Sequence, residues 1–177
     1  MVYNVGIQKH ELKPTGKILD VASGQFPFLR KGLNITHIDK YPDKNVSRRD
    51  DFVKVDNFIE MDVEDMSFKD KEFDYVIAGD ILEHLEHPER ACREIMRVGK
   101  AGWVRCPTVL WESVFGREYH LWATNIIDET LVFYRKDKYF KCWDYTPEFK
   151  GAFMPETLHV TFEWTKHFEY KILQRIL

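Results

Sequence analysis

The chain has 177 residues, 44% of them hydrophobic, and a formal net charge of -3. This length builds one domain with a real core rather than two ordinary ones, and the hydrophobic share argues against disorder. No long Lys/Arg run is present. Arg48-Arg49 is the densest basic pair and sits among charges of both signs, so an obligatory nucleic-acid partner is not indicated. The three cysteines, Cys92, Cys106 and Cys142, are odd in number and widely spaced. They predict reduced thiols in an intracellular, cytoplasmic protein rather than a disulfide framework or a zinc knuckle. Neither an apolar leader nor a stretch of membrane-spanning length is visible.

In chain order, Met1 to Gly16 is a short lead-in, and Pro14-Thr15-Gly16 marks a turn before the first strand. Ile18 to Ala22 reads as a buried strand running into a glycine turn at Gly24, with Pro27 suited to the first turn of a following helix. Ile35-Thr36-His37-Ile38 is a second apolar run that ends in Asp39. A strand, a glycine turn, a helix and a second strand closed by a carboxylate form half of a nucleotide-type site. The Asp39 carboxylate suits a ribose, whose hydroxyls can donate to it. Lys40 to Asp56 is a charged loop, and Asn57 to Met61 a third short strand leading into Asp62-Val63-Glu64-Asp65. Tyr75 to Ala78 is a fourth strand, ended by Gly79-Asp80. Pro88 opens a helix on which Ala91, Ile95 and Val98 share one face, and Gly99-Lys100-Ala101-Gly102 stops it. Trp103 to Cys106 is a fifth strand.

The stretch Asp20-Val21-Ala22-Ser23-Gly24-Gln25-Phe26 resembles the first motif of class I S-adenosylmethionine (SAM)-dependent methyltransferases, acid-x-Gly-x-Gly-x-Gly. Ala22, Gly24 and Phe26 fill the three glycine places, and only the middle glycine is kept. The block from Phe73 to Pro107 is the more specific likeness. Its Phe-Asp, apolar strand, Leu82-Glu83-His84, Pro88, Glu94-Ile95, Arg97-Val98 and Gly99 resemble the group of these enzymes with a Leu-Glu-His motif. The match in element order covers Lys17 to about Pro107.

The resemblance implies an α/β, Rossmann-like three-layer sandwich, with a mostly parallel seven-stranded sheet and an antiparallel edge strand. The whole chain, 1–177, is then one domain with its core at 17–107. A substrate loop and C-terminal edge strands occupy 108–177, and the domain could be part of a larger multidomain protein. Leu131 to Tyr134 and His159 to Trp164 are the expected edge pair. The cofactor implied is SAM. By the same resemblance Asp20 and Asp80 lie near its methionine amino group, and Ala22 and Gly24 pass close to it. Asp62 reaches the adenine amino group, and Val63 reads the ring through its backbone.

All five tryptophans lie after residue 100. Most aromatics there belong in a core, with a minority available to wall an acceptor pocket. The loop from Trp111 to Trp122, with Arg117, Glu118, Tyr119 and His120, is the candidate roof. His120 is the leading candidate base and His84 the second, because imidazole titrates near neutral pH. No metal-ligand spacing stands out. The expected acceptor is a small-molecule or glycan-type hydroxyl. Two rival readings are a non-catalytic SAM-binding or interaction domain and an NAD-dependent oxidoreductase. The latter needs Gly-x-Gly-x-x-Gly, where this chain has Ala22, Gly24 and Pro27.

Overall fold

The computed structural model describes residues 9–24, 26–41, 53–136 and 158–173. Arg48-Arg49, Cys142 and the aromatics Tyr139, Phe140, Trp143 and Tyr145 lie outside the described residues.

Strands β1 (Lys17–Val21), β2 (Asn34–Asp39), β3 (Phe58–Glu60), β4 (Tyr75–Gly79) and β5 (Ala101–Pro107) pair in parallel. A later strand, β8 (His159–Thr165), closes the β5 edge antiparallel. The sheet order is β3-β2-β1-β4-β5-β8. The chain steps outward from β1 in one direction to β2 and β3, then returns to β4 on the other side. That reversal opens a crevice beyond the C-terminal ends of β1 and β4, where open α/β sheets bind ligands.

Among the described residues the sheet has six strands rather than seven, because the expected edge pair divides. Residues of β7 (Thr130–Arg135) leave the main sheet and form a second one with β6 (Trp122–Ile127) and β9 (Glu169–Leu173), in the order β6-β7-β9. Asp128 and Glu129 both have positive φ, 46° and 60°, and join β6 to β7 as a two-residue hairpin turn. Without Asn or Gly at that turn, β6 carries little hairpin signal in the sequence.

Helix α1 (Pro88–Val98) follows the sequence reading, with Pro88 at its start and Ala91, Cys92, Ile95 and Val98 buried. A second short helix, α2 (Val109–Phe115), is capped by the Thr108 hydroxyl, which accepts from the Trp111 N–H at 3.1 Å. The helix expected from Pro27 is absent: residues 26–33 hold no helix. The link from Val21 to Asn34, residues 22–33, is at the lower limit for a crossover that carries a helix. Phe28 and Leu12 take the helix's place as cover.

Alternation along the strands produces two cores. Leu19, Val76, Ala78 and Val104 face one side, packed with α1, the second sheet's Leu131 and Phe133, and Phe162 and Trp164 of β8. Ile18, Ile35, Ile77 and Trp103 face the other, covered by Leu12 and Phe28. Gly102 is needed in β5 because a Cβ there would stand 2.3 Å from the Val76 carbonyl oxygen and 2.8 Å from Trp164 Nε1. Cys92 and Cys106 are buried free thiols. Among the described residues no helix is long and apolar enough to cross a membrane.

Candidate active site

The crevice at the strand ends is a cavity of about 1010 Å³. Ala22, Gly24, Asp39, Asp62, Val63, Asp80, His84 and His120 all line it, so the fold gathers eight of the nine residues singled out in the sequence.

The cofactor half of the cavity is built from strand ends. After β1 the backbone curls through positive φ at Ala22 (51°) and Gly24 (41°), which brings main chain to the cavity wall. Asp39 ends β2, is buried, and accepts from the Tyr41 N–H at 2.9 Å through Oδ1. Asp62 follows β3. Its Oδ1 accepts from the Glu64 N–H at 2.9 Å, and its Oδ2 pairs with Lys40 Nζ at 2.6 Å. Burial raises the Asp62 carboxyl pKa, but Lys40 and the Glu64 amide outweigh this and lower it overall. A ligand amino group at Asp62 therefore competes with Lys40. Met61, Val63 and Ile81 add apolar wall.

Asp20 departs from its expected place. It shares the face of Ile18, two residues away, and is fully buried without lining the cavity. Its carboxylate pairs with Lys9 Nζ at 2.7 Å, meets His37 Nδ1 at 3.2 Å and accepts from the Phe28 N–H at 2.7 Å. Burial pushes its pKa up, yet Lys9, His37 and the amide together bring it below the usual value. Lys9 does line the cavity, and also donates to the Phe26 carbonyl at 3.0 Å. Asp20 thus acts at one remove, by holding an ammonium group at the cavity wall.

The opposite half is built from side chains that converge from distant segments. The turn after β4 carries Asp80, with φ 54°, and then a 3-10 turn at Leu82–His84. Leu82 enters the core while Glu83, 1% exposed, remains at the cavity. The Leu121 N–H donates to the Glu83 carbonyl at 2.7 Å and ties this turn to the start of β6. Asp80 lies 3.4 Å from Arg105 Nε and 4.0 Å from His159 Nε2. The Asp80 carboxyl meets solvent inside the cavity, yet protein surrounds it. Burial raises its pKa against the pull of Arg105, Lys9 and His120.

From α2, the buried Glu112 receives His120 Nδ1 at 2.5 Å on one oxygen and Lys136 Nζ at 2.5 Å on the other. His84 stacks on Tyr119 with centroids 5.6 Å apart and meets His120 edge-on at 4.6 Å. Burial, reinforced by His120, pushes the His84 pKa down to about 3; burial, Arg105 and His120 do the same to His159. Burial, Asp80 and Glu112 hold the Glu83 carboxyl well above the ordinary glutamate range. Several buried polar atoms of this wall have no hydrogen-bond partner, among them Glu83 Oε2, His84 Nδ1, His159 Nδ1, Trp103 Nε1 and Trp111 Nε1. Although the sequence shows no metal-ligand spacing, one ligand atom each from Glu83, His84 and His120 lies within 4.8 Å of the others. Sequence reasoning passed over Glu83, Glu112, Arg105, Lys136 and His159. Only Glu83 carried a signal, as the middle of the Leu-Glu-His motif.

Residues 19–104 match the family model described as a methyltransferase domain. None of the curated proteins matches. Solved structures with similarity include the PH0226 protein from Pyrococcus horikoshii OT3, with 28% identity over 55% of this chain and 48% of that one, and a TM-score of 0.43. A SAM-dependent methyltransferase from Archaeoglobus fulgidus shares 20% identity over 57% and 48%, with a TM-score of 0.44. The [4+2]-cyclase SpnF shares 26% over 56% and 42%, with a TM-score of 0.42. This chain spans less than half the length of these three. By that match residues 19–104, just under half of the chain, are similar to the core of a class I SAM-dependent methyltransferase domain, a Rossmann-like fold whose cofactor is SAM.

The residues present fit that cofactor. A carboxylate stands at the end of β2, main chain approaches the cavity at Ala22 and Gly24, and Met61, Val63 and Ile81 offer an apolar surface for a purine. Among the described residues between β1 and β2 there is no helix, so none of them offers a helix N-terminus to a pyrophosphate.

Proposed function

We propose that this chain transfers a methyl group from SAM to a hydroxyl of a small-molecule or glycan-type acceptor. The observation that carries the reading is one cavity whose two halves differ in kind. Strand-end carboxylates and curled main chain form one wall. Histidines, Arg105, Trp111 and Tyr119 form the other. Ala22, Gly24, Asp39, Asp62, Val63 and Asp80 would hold the cofactor, with Lys9 and Asp20 adjusting charge beside it.

When bound, SAM supplies an electrophilic methyl on a sulfonium, displaced in line by the acceptor. The chain's task is then to align the two partners and keep water out. His120 is the first candidate to take the hydroxyl proton. Glu112 holds its Nδ1, which leaves Nε2 for the cavity, and a positioned base contributes roughly 10²–10⁴ in rate. His84 is the second candidate. Burial pushes its pKa down to about 3, which makes it the weaker base, and Tyr119 orients its ring. The buried free thiols suit an intracellular setting.

The test is transfer of labelled methyl from SAM to a panel of hydroxylated small molecules and saccharides, with SAM and NAD binding followed by calorimetry. SAM binding without transfer to any acceptor would favour a non-catalytic SAM-binding domain. NAD binding without SAM binding would overturn the reading.

A further inference from the structure

We propose that Glu83, His84 and His120 bind one divalent first-row transition cation at the acceptor end of the cavity, and that this cation holds and activates the acceptor hydroxyl. The three residues reach the same point from two separate segments, with one ligand atom from each within 4.8 Å of the others. Around a tetrahedral cation with ligands at about 2.1 Å, two ligand atoms stand roughly 3.4 Å apart, so the widest pair must close by up to about 1.4 Å on binding.

Each residue shows a second sign of an absent partner. Glu83 is 1% exposed, lines the cavity, and its Oε2 has no hydrogen bond. A buried carboxylate oxygen without a partner is costly, and a cation removes that cost. His84 Nδ1 likewise makes no hydrogen bond of ordinary geometry, although the carbonyls of Asp80 and Tyr119 lie near enough to influence its proton. His120 is already arranged as ligating histidines are. Its Nδ1 is fixed against the Glu112 carboxylate, which Lys136 holds from the other side, so Nε2 is the free donor. Of the neighbouring cationic groups, Lys136 pairs with Glu112, while Arg105 lies 3.4 Å from Asp80 and also acts on Glu83.

The donor set decides the class of cation. Two imidazoles and one carboxylate suit zinc, iron, cobalt or manganese better than calcium or magnesium, which prefer all-oxygen cages. Three protein ligands leave coordination positions open, the mark of a catalytic site rather than a structural one. All three ligands line the cavity that also holds the cofactor wall.

The chemical consequence rests on the methyl-transfer reading above, whereas the cation binding does not. An acceptor hydroxyl on the cation releases its proton to solvent more readily. The oxygen lone pair then forms the new O–CH3 bond while the S–CH3 bond breaks. Its electron pair stays on sulfur, giving a neutral thioether and a methyl ether. In this scheme His84 and His120 are ligands, and no imidazole has to accept the proton.

The experiment uses the full chain stripped with a chelator and titrated with Co²⁺, following the visible d–d absorption, with Zn²⁺ and Mn²⁺ as competitors in calorimetry. SAM binding is measured on the same samples. One Co²⁺ per chain is expected. Glu83→Gln, His84→Ala and His120→Ala should each weaken binding at least tenfold. Glu112→Gln, which keeps all three ligands, should weaken it by about 10–100-fold. Melting curves of each variant identify any that fail to fold, and the Glu112→Gln and His84→Ala pair provides independent readings if Glu83→Gln does not. Absence of a Co²⁺ band, or a band that all four substitutions leave intact, overturns the proposal. SAM binding without cation binding sinks the cation and spares the methyl-transfer reading. Cation binding without SAM binding does the reverse.

Discussion

The two walls of the cavity are made by different means. On the cofactor side, Ala22, Gly24, Asp39 and Asp62 each sit within a few residues of a strand end, and their positions follow from the parallel pairing of β1, β2 and β3. On the acceptor side, Glu83, His120 and His159 come from the β4 turn, the approach to β6 and the start of β8, with Glu112 of α2 and Lys136 from the end of β7 behind His120. The first wall is specified by local geometry and consists largely of groups whose partners are near in sequence, such as Tyr41 for Asp39 and Glu64 for Asp62. The second is specified by long-range packing and retains more of the unpartnered buried polar atoms, although Ser23 Oγ on the first wall is one too. A wall of the first kind keeps its backbone path where the motif drifts, as at Ala22, which takes positive φ in place of glycine. A wall of the second kind should fail when any one member is removed.

The largest effect should therefore come from the acceptor wall. His120→Ala should lower methyl transfer by about 10²–10⁴ while SAM affinity stays near that of the parent, as steady-state kinetics and calorimetry together would show. A parallel loss of SAM affinity would mean that the two walls are not separable.

Next is the group beneath the cofactor wall. Asp20→Asn should cost about 3 kcal/mol in denaturant unfolding, because it leaves Lys9 and His37 facing a neutral amide in a buried place. The parent should show a matching pH dependence. The folded-state Asp20 pKa lies below its unfolded value of about 3.9, so its contribution is complete above that value and fades as pH falls through the folded one. The asparagine variant should lose less stability over that acid range than the parent.

Asp39→Ala should weaken SAM binding by about 1.5–3 kcal/mol, the loss of charge-assisted hydrogen bonds, with turnover at saturating cofactor little changed. Unchanged affinity in a folded variant would make Asp39 a turn residue only. The smallest effect belongs to Lys40→Met. Its pair with Asp62 is half exposed on the lysine side, so stability should shift by about 0.5 kcal/mol or less. If Lys40 screens Asp62 from ligand amino groups, SAM affinity should rise slightly; a fall would show that Lys40 itself helps to hold the cofactor.

Residue order alone identifies α1, because Ala91, Ile95 and Val98 recur at helical spacing after Pro88 and before Gly99. It also locates the five parallel strands, since each is a short apolar run ended by glycine, proline or an acid. With the strands in place, Ala22, Gly24, Asp39, Asp62 and Val63 fall at the cavity by local geometry. The turn after Val21 misled, because a proline suited to a helix start says nothing of whether the next strand leaves room for one. Asp20 was placed correctly in sequence and turned otherwise in space, since alternation from Ile18 sends it to the Lys9 side. Only the tertiary structure decided that β7 leaves the main sheet, because apolar runs such as Leu131–Tyr134 fit either sheet equally well. It alone brought Glu112 and Lys136 to His120, and Glu83 and His84 to the same point. Such contacts link residues from separate elements, and no local periodicity or spacing encodes which of them will meet.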